Sequence, residues 1–166
     1  MSPRPKELDE SVCRRAAEIL APHIHEWLDG KDDLEGIVAD LMRIRSWPND
    51  GYSFAKELER LHYEPDAVLV ELLDGSCAMR KAHEEAVRAW VIANGITPAL
   101  ATGDRCTFTG FWRGTKSGVV SGILAERGVY TVIPDDEREK FAGGGGWVLP
   151  YEGVQPEQRA EPEIAQ

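Results

Sequence analysis

The chain is short of cysteine, of basic residues and of long apolar runs, and each shortage excludes something. Its three cysteines, Cys13, Cys77 and Cys106, are widely spaced and form no CxxC pair. That pattern argues against a disulfide framework and against a zinc knuckle. Cys13 and Cys106 stand among apolar neighbours and are expected in the core, so a reducing cytoplasm is the expected compartment. The longest apolar runs, such as Val68-Leu69-Val70, fall far short of the roughly 20 residues that cross a bilayer, and no membrane partner is expected. The opening MSPRPKELDE has no apolar stretch of the kind a signal peptide carries.

Lys and Arg number 19 against 29 Asp and Glu, a net charge of −10. Residues 1–99 hold 12 basic and 19 acidic residues, or −7, and residues 100–166 hold 7 and 10, or −3. Neither part carries the basic stripe that contact with a phosphate backbone needs, so nucleic acid is disfavoured as a partner. An acidic surface suits a basic protein partner.

What is present is a globular composition, with 42% hydrophobic residues in 166, whose grammar changes once. Over residues 9–28 the apolar positions Val12, Ala16, Ile19, Leu20, Ile24, Trp27 and Leu28 recur at helical steps and predict an amphipathic helix. Asp9 or Ser11 is placed to cap it, and Pro22 is expected to kink or divide it. A second helix follows Asp32 or Asp33 and must stop before Pro48. Pro48-Asn49-Asp50-Gly51 reads as a turn, with a third helix capped at Ser53. Pro65-Asp66 opens a fourth, with Val68, Leu69, Leu72 and Leu73 facing inward until Asp74-Gly75-Ser76 breaks it. A fifth spans residues 76–93, with Asn94-Gly95-Ile96 as its C-cap. Short loops between amphipathic helices predict a small bundle.

Beyond residue 103 the period shortens to two. Arg105-Cys106-Thr107-Phe108-Thr109 alternates as a strand. Gly118 to Leu124 reads as a second, whose paired glycines predict curvature or a bulge. Residues 129–133 form a third and 147–150 a fourth, with one helical turn at residues 151–154. Phe108 and Trp147 are the first candidates for the core of this part. The fold class expected is α+β: a helical bundle of about five helices over residues 1–99, a small antiparallel β-barrel over 100–154, and a flexible tail over 155–166.

Four stretches resemble an SH3-like or KOW-like barrel. They are Gly103-Asp104-Arg105-Cys106, Gly118-Val119-Val120, Tyr130-Thr131-Val132, and the closing Trp147-Val148-Leu149-Pro150-Tyr151-Glu152-Gly153-Val154. The likeness covers residues 103–154 and implies the barrel fold. Such barrels bind RNA, DNA or peptides, so it implies no one function. The helical part, from Asp50-Gly51-Tyr52 to Glu64-Pro65-Asp66-Ala67, is similar in style to small proteins of phages and prophages.

No catalytic, metal or cofactor motif is expected. His23 and His25 lie two apart and so on different helix faces, and His83-Glu84-Glu85 fails as a metal site for the same reason. Gly114-Thr115-Lys116-Ser117 lacks the full phosphate-loop spacing and precedes a strand. The expected partner-binding residues are Trp112, Arg113, Lys116, Tyr130 and Tyr151, since aromatics beside arginine anchor binding surfaces. The leading reading is a non-enzymatic binding protein, an accessory factor of a phage or mobile element that engages or inhibits a host protein. An acidic mimic of nucleic acid is one version of it. The second is a nucleic-acid module using Arg105, Arg113 and Lys116 with aromatic stacking. The third is a small enzyme with a site between bundle and barrel built on His62, His83 or Cys77.

Overall fold

The helical half begins with α1, Glu10–Trp27. In the computed structural model, which describes residues 2–109 and 114–157, Val12, Ala16, Leu20 and Ile24 are all essentially inaccessible. These side chains form one stripe because i, i+4 positions share a helix face. The helix is not divided at Pro22, which lies inside it. Pro22 faces solvent, where water can take the backbone carbonyl that a proline leaves unpaired.

The next three helices each start on an aspartate whose carboxylate accepts a backbone N–H three residues on. Helix α2, Leu34–Leu41, is capped by Asp33 through the Gly36 N–H at 2.8 Å. Helix α3, Gly51–Arg60, is capped by Asp50 through the Ser53 N–H at 2.8 Å. Helix α4, Ala67–Ser76, is capped by Asp66 through the Leu69 N–H at 2.9 Å. The expected cap at Ser53 is thus corrected to Asp50, and Gly51 belongs to the helix, not to a preceding turn. Asp9 does not cap α1 with its side chain; its carboxylate accepts the Lys6 N–H instead, at 2.8 Å.

Two further expectations change around α4. Val68 points outward, 65% exposed, while Leu69 and Leu73 are buried. Asp74-Gly75-Ser76 does not break the helix. The chain turns at Cys77, held in the left-handed region at φ 48°, and α5, Ala78–Asn94, begins directly after it. Gly95 at φ 60° ends α5, with the Gly95 and Ile96 N–H groups returning to Ile92 and Val91 oxygens, the doubled bond of a glycine C-cap.

Two compact units result, divided between Trp90 and Val91. Helices α1 to α4 lie wholly in the first, while α5 crosses the division. The bundle of about five helices is corrected to four complete ones and the first part of another, because α5 outlasts the core it packs on. That core gathers residues from Val12 to Ala82, with Trp47 set edge-on to Phe54 at 5.2 Å between ring centroids.

The second unit is a curled antiparallel sheet of order β4-β3-β2-β1-β5. Its strands are β1 Arg105–Thr109, β2 Thr115–Leu124, β3 Val129–Pro134, β4 Trp147–Pro150 and β5 Val154–Pro156. Strand β2 starts earlier than the sequence pattern suggests and serves two partners. Residues 115–119 pair with β1 and residues 118–124 with β3. The register slips between Val120 and Gly122, the bulge that the paired glycines predict; it bends the strand as it passes from one neighbour to the other. A 3-10 turn at Tyr151–Gly153 leads into β5, where Gln155 and Pro156, expected in the tail, pair with β1. Cys106, Phe108, Val120, Tyr130 and Val132 form the centre of this unit's core. The architecture is α+β.

Candidate functional site

Two of the cations expected to meet a partner on the β unit, Arg105 and Lys116, are held by its own carboxylates. Arg105 donates to Asp135 at 2.7 Å and, through two nitrogens, to Glu157 at 2.8 and 3.0 Å. Arg138 reaches the same Asp135 oxygen at 2.7 Å. Hydrogen bonds from Arg105 and then Arg138 hold the Asp135 carboxyl at about 2, because each stabilises the charged form. Lys116 donates to Asp136 at 2.9 Å and Glu137 at 3.2 Å. Its ammonium stands 4.9 Å from the centroid of the Trp147 ring, and the Trp147 indole donates to Glu137 at 3.1 Å. The Asp135–Glu137 turn is therefore a clamp across the sheet.

Of the other expected binding residues, Trp112 and Arg113 lie outside the described residues. Tyr130 is 1% exposed and Tyr151 9%. The Tyr130 hydroxyl accepts the Leu100 N–H at 2.9 Å, and the two rings pack with centroids 4.3 Å apart. The Tyr151 hydroxyl is buried with no hydrogen-bond partner among the described residues. Both tyrosines are corrected from surface anchors to interior residues, for burial leaves neither ring a face to offer. Alternation along a strand tells which residues share a side, but not which side is covered.

The residues of the enzyme reading are separated. Cys77 is exposed and lines a cavity of about 220 Å³ with Trp47, Phe54 and Met79. His62 lines a different groove. His83 sits 3.1 Å from the Pro5 oxygen through Nε2 and 4.0 Å from Glu7 through Nδ1. Among the described residues no group of three or more His, Cys, Asp or Glu is placed to hold a metal ion, and no helix is long and apolar enough to cross a membrane.

The groove containing His62 is the more telling feature. It holds about 510 Å³ between the end of α1 and the α3–α4 connection, and is walled by Trp27 and Tyr63. Four carboxylates line it, those of Asp32, Asp40, Glu64 and Asp66, against one ammonium, Lys31. Two of the acids fix the aromatics. The Trp27 indole donates to Asp66 at 3.0 Å and the Tyr63 hydroxyl to Asp40 at 3.1 Å. Burial, then the charge and hydrogen bond of Asp40 and the charge of Asp32, push the Tyr63 phenol well above its ordinary range. The Leu69 N–H first, with help from Trp27, holds the Asp66 carboxyl below its ordinary range. Asp32 and Glu64 are exposed and form no ion pair among the described residues. Such a groove attracts an ammonium or guanidinium group, which gains from the carboxylates and from the ring faces together. Sequence reasoning missed it because its members lie up to 39 positions apart, as Trp27 and Asp66 do. No protein-family model, curated protein or solved structure matches this chain.

Proposed function

We propose that the chain is a binding protein and that the groove walled by Trp27 and Tyr63 takes a lysine- or arginine-bearing segment of a protein partner. One observation carries this reading: four carboxylates converge on two oriented aromatic rings, with Lys31 the one cation among them. The net charge of −10 acts in the same direction by steering a basic partner inward. The sheet order and the 3-10 turn before β5 support reading the β unit as an SH3-like barrel, which here serves as scaffold. Arg105 and Lys116 are already paired with carboxylates, which weighs against that unit as a nucleic-acid module.

Titration of a lysine- and arginine-rich peptide, followed by isothermal calorimetry, tests the proposal. Binding should weaken on raising salt and fall on the order of tenfold in an Asp32→Asn, Glu64→Gln double variant, since each lost charge-assisted contact contributes about 1 kcal/mol or more. Equal binding by parent and variant would overturn it.

A further inference from the structure

The helical unit is acidic, yet one of its grooves is not. In residues 1–90, 12 Lys and Arg stand against 19 Asp and Glu, so an even mixture would line any groove with negative charge. The groove between the end of α2 and the last turn of α3 instead gathers Arg43, Arg45 and Arg60, with Glu57 its one carboxylate. It holds about 380 Å³. Ile44, 6% exposed, and the half-buried Leu61 supply apolar surface, and the Ser46 hydroxyl stands at the same place.

We propose that this groove binds a small phosphate monoester, with the phosphate held by the three arginines and the organic body resting on Ile44 and Leu61. Arg43 meets Asp40 at 3.1 Å, and Arg60 meets Glu57. Both are i, i+3 surface pairs whose arginine side chains remain 69% and 72% exposed. Exposed pairs of this kind are weak, and a guanidinium has five donors, so each arginine keeps N–H groups for a second anion. Arg45 is exposed and has no carboxylate partner among the described residues. Three like charges around one groove repel one another, and a bound anion relieves that repulsion. A phosphate monoester carries close to two negative charges at neutral pH and three terminal oxygens, a better match to three guanidinium forks than one carboxylate. The groove is larger than an inorganic phosphate, and its apolar surface is what an organic substituent would cover. This site adjoins the acidic groove, sharing Leu61 with it and pairing Arg43 with its Asp40, but it takes a ligand of the opposite charge, so the two are tested separately.

The test is a titration of the 15N-labelled protein with a hexose 6-phosphate, followed by proton–nitrogen correlation spectra that include the arginine Nε–H signals. Ionic strength is held constant with sodium chloride. Saturable shifts confined to residues 43–46 and 57–61 are expected. Arg45→Gln and Arg60→Gln should each weaken binding on the order of tenfold, with unchanged signal dispersion showing that they fold. Arg14→Gln removes the same charge from an exposed position on α1 and should leave binding unaltered. Shifts that never saturate, equal weakening by Arg14→Gln, or an equal response to the unphosphorylated hexose would each overturn the assignment. Binding of a single-stranded oligonucleotide at these residues, with none of the hexose phosphate, would also overturn it.

Discussion

A methyl group added to Gly118 would stand 2.5 Å from the Ile133 carbonyl oxygen, closer than any relaxed contact. The backbones of β2 and β3 approach there because no side chain intervenes, so the glycine is required by proximity. Gly118→Ala should destabilise the protein by about 1–3 kcal/mol, read as a lower urea midpoint. Tyr130 makes a second residue-scale test. Its hydroxyl is the acceptor for the Leu100 N–H, and Tyr130→Phe leaves that donor buried and unpaired. The expected cost is about 1–3 kcal/mol by chemical denaturation, with the fold retained. Leu20, 1% exposed in the helical core, should cost about 2–5 kcal/mol when cut to alanine.

At the scale of elements, helix starts were partly legible in sequence. The sequence places helix starts after Asp32 or Asp33 and at Pro65-Asp66, and α2 and α4 begin there, each capped by an aspartate side chain, Asp33 and Asp66. Asp50 and Ser53 are both good cap residues three positions apart, and the sequence pattern placed the cap at Ser53, the wrong one of the two. Asp74 of α4 accepts the Gly51 N–H and holds the start of α3 at Gly51. The end of α4 was misplaced for a similar reason: glycine tolerates the helix at Gly75, and Cys77 takes the left-handed turn instead. Asp66→Ala removes the cap of α4 together with the Trp27 indole acceptor, and should cost about 1 kcal/mol with a change in tryptophan fluorescence. The sheet's clamp gives a pH prediction. The folded Asp135 carboxyl sits at about 2, against 3.8 when unperturbed. Its contribution to stability is therefore complete above 3.8 and lost as pH falls from there through 2. Urea midpoints measured across that window should decline less steeply in Arg105→Ala, which removes the first cause of the shift.

At the scale of the whole molecule, charge is the organising quantity. The acidic excess of 10 is distributed unevenly at short range. One groove of the helical unit gathers carboxylates and another gathers arginines, while in the β unit Arg105 and Lys116 are paired with its own carboxylates. Association of a basic peptide with the protein should slow as salt rises, with dissociation changing less, because long-range steering is screened before close contacts are. Surface plasmon resonance over a range of sodium chloride concentrations separates the two rates.

The sequence by itself determined the change from helical to strand periodicity near residue 103, the strand bulge at paired glycines and the excess of acid. These depend on neighbours a few positions apart, where backbone geometry dictates which side chains share a face. Only the tertiary structure decided that Tyr130 and Tyr151 are interior, that Arg105 and Lys116 are paired, and that Trp27, Tyr63 and their carboxylates share a groove. Burial and charge pairing depend on what distant segments bring against a residue, and local periodicity carries no record of that.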